Sequence, residues 1–380
     1  MELGAFGAFG IIWGAFAVLL ADLSRFLGLS PGPLGVALSV GMVASFPAMV
    51  LGGRMADRFG RRALLLVSGS LLGVGFAWLA FVGGYAALFV VLLVLSAASG
   101  VYDVGINAAA MDLERTTRRR FMAVLHAAFS AGGAAGALVS GALISVGVDF
   151  RHVYLVALIP LGAVIFAVTT TRFPPKEEGA AGTSEGERAG LYKNLPLLLV
   201  ALITALVFLS EGAMEHWSGI YLRGTLALPA LLGASGVAVF HASMAVGRLG
   251  SAETIRRFGD RPTLRAAGLL ATGGMALALA TREPLLVVAG FLVVGLALSA
   301  VAPITFSFAG DLVPDRAGGA SSVVTTFGYS GFLLGPVTIG GVAELTSLRI
   351  ALGIVAVAGL LIFTLSLRIR GQQKTESRVP

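Results

Sequence analysis

Cysteine is absent from this 380-residue chain, and side chains with an amide group are almost absent. Without cysteine the protein has no disulfides and no thiolate metal ligands. Charged residues are scarce, at 12% of the sequence, whereas hydrophobic residues reach 57%. Soluble globular chains carry about twice that charged fraction. A soluble fold of this size would have too little polar surface to cover its core, so the composition excludes an ordinary soluble protein.

Long apolar runs separated by short polar stretches dominate the sequence. A helix needs about 20 apolar residues to cross roughly 30 Å of hydrocarbon. In lipid, only helices and closed barrels satisfy their own backbone groups. We predict an all-α integral membrane protein with twelve transmembrane helices, at residues 3–22, 33–52, 63–82, 86–111, 121–146, 152–171, 195–220, 233–250, 264–281, 285–309, 318–340 and 348–367.

The basic residues fall mainly on one side of these spans. The net charge of +7 comes from 27 Lys and Arg against 20 Asp and Glu, and the basic residues form short clusters between apolar runs. Such clusters indicate topology rather than a nucleic-acid-binding face, because loops rich in Lys and Arg stay in the cytoplasm. We therefore predict both termini in the cytoplasm and no nucleic-acid partner. The other side carries only Arg25, Arg151, Arg223, Arg282 and Arg349.

A polar stretch divides the predicted spans into six and six. It contains two prolines and several Glu, Gly and Ser residues, which is typical of a flexible linker. We predict an N-terminal six-helix bundle over 1–171, a cytoplasmic linker over 172–194, a C-terminal six-helix bundle over 195–370 and a cytoplasmic tail over 371–380.

The two predicted halves repeat each other. Residues 58–62 (Arg-Phe-Gly-Arg-Arg) follow the second span, and residues 257–261 (Arg-Phe-Gly-Asp-Arg) follow the eighth. The fifth span holds glycines four apart at 132 and 136, and the eleventh at 331 and 335. Small residues at this spacing let helices pack closely in lipid. Duplicated halves around a midplane site are the usual architecture of secondary transporters.

Residues 53–62 read Gly-Arg-Met-Ala-Asp-Arg-Phe-Gly-Arg-Arg and lie between the second and third spans. They resemble the signature loop of the major facilitator superfamily, G-x-x-x-D-R-x-G-R-R. Residues 102–107 (Tyr-Asp-Val-Gly-Ile-Asn) and 211–217 (Glu-Gly-Ala-Met-Glu-His-Trp) are similar to a branch near the fucose-permease-like members. The resemblance implies two pseudo-symmetric six-helix bundles that rock about a central cavity and give alternating access.

The resemblance also implies a conformational latch in the signature loop. Asp57 would cap the start of the eleventh span near residues 318–319, where the helix dipole favours an acid. The arginines of the loop would pair with acids at the end of the fourth span and hold the outward-facing state; the alternative is that they only set topology. The implied latch residues are Gly53, Asp57, Arg58, Gly60, Arg61, Arg62, Asp112 and Glu114.

Two features of the family's proton-coupled drug antiporters are missing from this sequence. The fourth span lacks their arginine, and the fifth lacks their Gly-Pro pair, although Gly335 and Pro336 form such a pair in the eleventh span. Both absences argue against exchange of drugs for protons. Gly335, Pro336 and Pro303 are predicted hinges, because proline frees a carbonyl and kinks a helix; static kinks are the alternative.

Asp103 is the strongest candidate for a functional group inside the membrane. An ionisable side chain deep in a span costs about 2.5 kcal/mol or more. Asn107 lies one turn further on the same face, and His126 in the fifth span has a depth at which it could meet Asp103 directly or through water. We predict that Asp103 is the proton or substrate-cation site. The alternative is a buried carboxylate that stabilises helix packing.

The seventh span contributes a second group of candidates. Glu211 is predicted to line the cavity, whereas Glu215 and His216 are predicted to face an aqueous vestibule. The predicted site also includes three residues for which simple packing is the alternative, namely Trp217, His241 and Trp13.

The scarcity of amide side chains and of cations at midplane depth limits the kinds of substrate that the protein can bind. Asn occurs only at 107 and 194 and Gln only at 372 and 373. These are too few amide groups to hydrogen-bond the several hydroxyls of a hexose. Arg248 falls near the end of its predicted span, so no cation is expected at midplane to bind a phosphate or carboxylate. We predict a monomeric, non-enzymatic secondary transporter of a small neutral amphipathic or cationic organic solute. We expect coupling to protons, no cofactor and no resident metal.

Four other functions stay open at this point. A divalent-metal carrier would use Asp103, His126, Glu211 and His241 as oxygen and nitrogen ligands. A lipid flippase and a non-transporting sensor are compatible with the same fold. An intramembrane enzyme would need a nucleophile beside a base, and Ser130 follows His126 by one turn. The enzyme interpretation is disfavoured because Ser130 precedes a glycine-rich packing seam.

Overall fold

The computed structural model describes residues 1–119, 121–171 and 190–369, and of Asp57 only the backbone. These residues form helices without any strand, and twelve of the helical segments are long and apolar enough to cross a membrane, which confirms the predicted fold class. Most of the predicted linker and the whole predicted tail lie outside the described residues. The twelve helices are α1 (Glu2–Phe26), α2 (Pro31–Ala56), α3 (Arg58–Phe81), α4 (Tyr85–Thr117), α5 (Met122–Ser145), α6 (Phe150–Thr170), α7 (Leu195–Thr225), α8 (Ala230–Phe258), α9 (Asp260–Ala280), α10 (Pro284–Leu312), α11 (Pro314–Leu345) and α12 (Leu348–Ser366).

Several helices are longer than the apolar segments from which they were predicted. The fourth span was expected at 86–111 and the eighth at 233–250, whereas α4 continues to Thr117 and α8 to Phe258. Hydropathy ends a span at the first charged residues, but backbone hydrogen bonding continues into them because Arg and Glu are good helix formers.

The turn at Gly60, near the start of α3, and the turn at Gly259, between α8 and α9, share one backbone conformation. Gly60 has φ 81° and ψ 165°, and Gly259 has φ 81° and ψ 163°. Residues other than glycine almost never adopt this combination, because a Cβ would clash with the backbone. The repeated Phe-Gly sequence therefore encodes the same sharp turn in both halves.

Glycines let two pairs of helices approach to backbone contact. A Cβ at Gly14 of α1 would lie 2.7 Å from the carbonyl carbon of Gly133 in α5, and one at Gly136 would lie 2.9 Å from that of Ile11. In the other half, a Cβ at Gly331 of α11 would lie 2.9 Å from the carbonyl carbon of Ala205 in α7. The predicted close packing is confirmed for the fifth span and for Gly331 of the eleventh, whereas a Cβ at Gly335 would have its nearest neighbour at an ordinary 3.5 Å. The partner helices correspond between the halves.

Contacts between the halves join α1 to α7, α2 to α11 and α5 to α8. We call the end of the molecule that carries the connections after α2 and α8 the basic face, because Arg54, Arg58 and Arg61 lie there. The end that carries the connections after α1 and α7 is the opposite face. The candidate residues lie between these two faces, along the seam where the halves meet.

Candidate functional site

Asp103 lies on α4 at the seam between the two halves. Its Oδ1 accepts a hydrogen bond from the Asn107 amide at 3.0 Å, and its Oδ2 accepts one from the Tyr329 hydroxyl at 3.1 Å. Asn107 follows one turn later on the same helix, as the spacing predicted, whereas Tyr329 comes from α11 in the other half. Asp103 therefore joins the two halves through a neutral donor.

His126 does not take part in this contact. In the described chain, no hydrogen bond or ion pair connects it to Asp103, and its ring packs edge-on against Phe6 with centroids 5.4 Å apart. The depth estimate placed both residues at a similar level, but it could not show that the imidazole points toward α1. The suggested direct meeting of Asp103 and His126 is absent in this conformation.

Three phenylalanines surround the ring of Tyr329. Phe208 lies 5.9 Å away and Phe46 6.1 Å away, both edge-on, and Phe332 lies 6.4 Å away. These rings come from α7, α2 and α11, and each is only partly buried. Aromatic pairs of this geometry stabilise packing by about 0.5–1.5 kcal/mol beyond the area they bury. Phe46, Phe208 and Phe332 were not predicted, because no sequence pattern shows which helices face each other.

Arg248 lies deeper than the sequence suggested. Its Nη1 donates to the Ser130 hydroxyl of α5 at 2.6 Å, and its Nη2 lies 3.6 Å from Oε2 of Glu211 on α7. The expectation of no cation at depth is wrong, because α8 continues ten residues past Arg248 to Phe258. That stretch is roughly 15 Å of helix. The hydroxyl that could have served as a nucleophile is thus fully buried and occupied by Arg248.

His216 is buried rather than facing a vestibule, and Glu215 is half-buried, with 14% of its side chain exposed. His216 is 6% exposed, and its Nδ1 lies 2.8 Å from the carbonyl oxygen of Gly212. Glu215 Oε1 lies 4.0 Å from Nε2 of His241, which is itself 4% exposed. The His216 ring packs edge-on against Phe16 of α1 at 6.3 Å, and the His241 ring packs against α5, so this group lies at the seam between the halves.

The two predicted tryptophans occupy different environments. Trp217 is fully buried, and among the described residues its indole nitrogen has no hydrogen-bond partner, so it lies in the core in this conformation. Trp13 is partly exposed and packs edge-on against Phe9 at 6.4 Å and Phe16 at 5.4 Å. Of the two, Trp13 is therefore the one that remains accessible.

The predicted metal ligands do not form one group. Within the described ranges, no set of three or more His, Asp or Glu side chains is placed to hold a metal ion. Asp103 is bound to Tyr329, His126 packs on Phe6, and Glu211 pairs with Arg248. In this conformation the four predicted ligands are therefore not arranged as a binding site for a divalent metal ion.

The signature loop makes contacts within the N-terminal half. Arg61 Nε lies 3.1 Å from Oδ2 of Asp112 at the end of α4, and Arg62 donates to the backbone carbonyl of Thr169. The guanidinium of Arg58 lies over the ring of Phe59, 5.2 Å from its centroid. The side chain of Asp57 lies outside the described residues, so its predicted cap on α11 is not described.

The other latch residues show where the basic face is open. Glu114 accepts hydrogen bonds from the backbone N–H groups of Phe121 and Met122, which caps the start of α5. Among the described residues, no heavy atom lies within 4 Å of the position that a Cβ would take at Gly53 or at Gly318. The end of α2 and the start of α11 therefore border open space at the basic face.

At the opposite face, by contrast, polar contacts bridge the halves. Asp22 at the end of α1 pairs with Arg223 at the end of α7; Arg223 Nη2 lies 2.9 Å from Oδ1. Glu344 near the end of α11 accepts from Ser30 Oγ at 3.0 Å and from the backbone N–H of Gly32 at 2.9 Å, which caps α2. Sequence patterns assigned Asp22 no specific role and did not indicate Glu344, because their partners are about 200 and 310 residues away.

The predicted hinges lie at different kinds of position. Helix α10 is interrupted at residues 299–300, and Pro303 lacks the N–H that would have bonded to the carbonyl of Ser299. Pro336 lies inside a continuous helix from Ala317 to Leu345, where the Val337 N–H donates to Ser39 of α2. Gly335 and Pro336 therefore lie at a contact between the halves. Whether either site moves stays a prediction.

Comparisons with known proteins agree with this architecture. The sequence profile of the Major Facilitator Superfamily matches residues 3–281 and 254–380, that is, nearly the whole chain. An uncharacterised MFS-type transporter of Yersinia pestis is 29% identical over 96% of this chain and 93% of its own length. The multidrug resistance protein MdtH of Aeromonas hydrophila is 31% identical, but only over 41% of this chain and 38% of its own.

A solved structure of similar shape shows the same fold. The nucleoside transporter NupG, solved as a point mutant, superposes with a TM-score of 0.81 and 16% identity, over 97% of this chain and 99% of its own. At that identity the likeness shows the fold and does not extend to the substrate. The twelve helices, the paired glycine turns and the matching family profile all agree, and the chain belongs to the Major Facilitator Superfamily.

Proposed function

We propose that this transporter moves a small neutral amphipathic or cationic organic solute by alternating access and couples the movement to protons. The observation that carries the proposal is the contact of Asp103 with Tyr329, which puts an ionisable group on the seam between the two halves. A carboxylate in this place can bind a proton or a cation in both access states. Its hydrogen bond across the seam would break and form as the halves rock.

The positive-inside rule supports a bacterial cytoplasmic membrane with both termini in the cytoplasm. The basic face is then cytoplasmic. The contacts of Asp22 with Arg223 and of Glu344 with Ser30 close the opposite, outer face, whereas a Cβ at Gly53 or at Gly318 would meet open space at the basic face. This combination supports an inward-facing conformation. The latch of the signature loop would form in the other state, when the ends of α2 and α11 approach.

The charges along the seam support a neutral or cationic solute. Arg248 supplies a cation at depth, but it lies 3.6 Å from Glu211 and is formally neutralised by it. Asp103 has no ion-pair partner in the described chain. An anionic solute would have to compete with Glu211 for Arg248 and would meet the uncompensated charge of Asp103.

Drug efflux is the second candidate, and the partial match to the multidrug resistance protein MdtH favours it. Against it stand the absence of an arginine in the matching part of α4 and of a Gly-Pro pair in α5. Membership of the branch near the fucose-permease-like proteins, and a monomeric state, stay predictions. A ligand screen that includes drugs separates efflux from the transport of other solutes.

The test is a thermal-shift screen of the detergent-purified protein against sugars, nucleosides, amines, drugs, lipids and metals, at acid and neutral pH. A ligand that binds only the folded state stabilises it by about 2.7 kcal/mol at a hundredfold excess over its Kd. A hit would then be labelled and its uptake into proteoliposomes measured with and without a pH gradient.

We expect Asp103→Asn to abolish the gradient-driven uptake of such a hit and Glu211→Gln to weaken its binding. Asp149→Asn is the matched control, because Asp149 caps α6 at the outer face, away from the seam. Uptake by Asp103→Asn with an unchanged rate and pH dependence would refute the role of Asp103. A saturable hit with an anion, and none with an amine or a neutral solute, would refute the proposed substrate class.

A further inference from the structure

Asp103 and the rings around Tyr329 form a cluster that borders open space. Asp103, Phe46, Phe208, Tyr329 and Phe332 are all only partly buried. The cluster draws on α2 and α4 from one half and on α7 and α11 from the other. A solute that bound here would therefore touch both moving parts.

The partners of Asp103 leave its charge uncompensated. Its two oxygens accept hydrogen bonds from an amide and a phenol, and in the described ranges no Lys, Arg or His side chain forms an ion pair with it. Glu211 differs, because it has Arg248 at 3.6 Å. A carboxylate within a membrane span is costly unless a cation or a proton balances it. Among the described residues no cation supplies this balance, so it can come from a proton or from a cationic solute.

The aromatic rings around Tyr329 favour a particular kind of cation. Phe208 and Phe46 stand edge-on to Tyr329 at 5.9 and 6.1 Å, and Phe332 lies 5.0 Å from Phe208 at a tilt of 51°. Aromatic faces attract cations through their quadrupole, most strongly where water is excluded, and clusters of rings bind alkylated ammonium groups in this way. An aliphatic cavity would bind a neutral solute equally well, whereas aromatic rings beside an unpaired carboxylate favour an organic cation.

We propose that the transported solute carries an alkylated ammonium group, which binds between Asp103 and the rings of Phe46, Phe208, Tyr329 and Phe332. This inference rests on the proposed transport function and narrows its substrate class from neutral or cationic to cationic. The carboxylate supplies the charge, and the rings supply a surface suited to the weakly hydrated alkyl groups on the nitrogen.

The test measures binding to the full-length protein in detergent by thermal shift. The probes are tetramethylammonium, choline and tetraethylammonium, together with the uncharged analogue of choline in which carbon replaces the nitrogen. We expect at least one cation to raise the melting temperature saturably and the uncharged analogue to have no effect at the same concentration. An equal shift with the uncharged analogue, or no shift with any of the three cations, would overturn the proposal.

Variants of the cluster locate the binding. Asp103→Asn keeps the shape of the side chain but removes its charge, so the rise in melting temperature caused by the cation should disappear. Phe208→Leu keeps an apolar side chain but removes the ring, and should weaken binding by about 5- to 30-fold. Phe166→Leu is the matched control, since Phe166 is 71% exposed on α6 and far from the seam. Cation binding that Asp103→Asn retains, or that Phe208→Leu and Phe166→Leu weaken equally, contradicts the assignment.

Two further outcomes separate this inference from the proposed transport function. If a neutral solute binds in an Asp103-dependent manner and is taken up while the cations do not bind, transport stands and the ammonium site falls. If choline binds through Asp103 and Phe208 but is not taken up into proteoliposomes under any gradient, the binding site is supported and its role in transport is refuted. The melting temperature of each variant without ligand shows that it is folded.

Discussion

Gly60 and Gly259 adopt the same backbone conformation, with φ of 81° at both residues. They occupy matching places in the two halves, after the same Arg-Phe pair. Gly60 has open space where a Cβ would lie, so only its backbone conformation requires glycine there.

Gly60→Ala is therefore expected to destabilise the protein through backbone strain alone, by about 1–3 kcal/mol. Gly273→Ala is the control, because Gly273 also has open space beside it but lies within helix α9. There alanine should be neutral or stabilising by about 0.5–1 kcal/mol. Thermal unfolding in detergent measures both. Equal melting temperatures for the two variants would contradict the argument.

The glycine seam between α1 and α5 gives a second prediction. Gly14→Ala would place a Cβ 2.7 Å from the carbonyl carbon of Gly133, and a backbone atom cannot rotate away as a side chain can. We expect a loss of about 1–3 kcal/mol, as for other overpacked interiors. Gly4→Ala in the same helix is the control, since its nearest neighbour would lie at an ordinary 3.7 Å. Equal melting temperatures for Gly14→Ala and Gly4→Ala would show that α1 and α5 can move apart without loss of stability.

The pair of Glu211 with Arg248 should be energetically coupled. Replacing one member leaves the other charge half-buried and uncompensated. This costs about 3–5 kcal/mol in fully buried pairs, and we expect a smaller loss here because 21% of Arg248 and 13% of Glu211 remain exposed. The double variant Glu211→Gln, Arg248→Met should then lose less than the sum of the single variants, by about 0.5–3 kcal/mol. Urea or thermal unfolding of the four proteins measures this coupling.

A second pair on the same helix serves as the control for that cycle. Arg256 lies 2.7 Å from Glu253 on α8, but both side chains are well exposed, at 72% and 45%. Exposed pairs at this spacing contribute about 0.3–0.5 kcal/mol. A coupling for Glu211 and Arg248 no larger than that of the exposed pair would mean that water or lipid headgroups compensate the buried charges.

The contact of Asp22 with Arg223 should stabilise the conformation that is closed at the opposite face. Because the chain has no cysteine, Gly53→Cys introduces a single thiol, at a position with open space. Asp22→Asn in that background should shift the population toward closure of the basic face and slow thiol labelling by about tenfold, equivalent to about 1.4 kcal/mol. Asp149→Asn, which affects a cap within one half, should leave the rate unchanged. Faster labelling in Asp22→Asn would contradict the role of the pair.

Twelve helices were predictable because each long apolar run has only one favourable structure in lipid. The ends were not, since α4 and α8 continue through Arg115 and Arg256, which hydropathy counts against a span. The error about Arg248 has this origin: a helix ending at residue 250 puts Arg248 at the surface, whereas one ending at Phe258 puts it well inside.

The lateral contacts of the site could not be derived from the sequence. Asn107 is tied to Asp103 by helical spacing, and that part of the site was predictable. Tyr329 is 226 residues from Asp103, and their hydrogen bond depends on the rotation of α11 and on which face of the protein is closed. A hydropathy pattern contains neither quantity. From the sequence alone, His126 at a similar depth was therefore as good a candidate partner for Asp103 as Tyr329.

The unequal pairing of Asp103 and Glu211 has an electrical consequence. Glu211 moves together with Arg248, so this pair carries no net charge through the membrane field. Asp103 has no such partner among the described residues and carries a formal negative charge until a cation or proton joins it. A membrane potential does work of about 2.3 kcal/mol per elementary charge per 100 mV, and only on a step that moves net charge. On the proposed mechanism, we expect the return of the empty carrier to be the voltage-sensitive half of the cycle and the movement of the loaded carrier to be insensitive to the membrane potential.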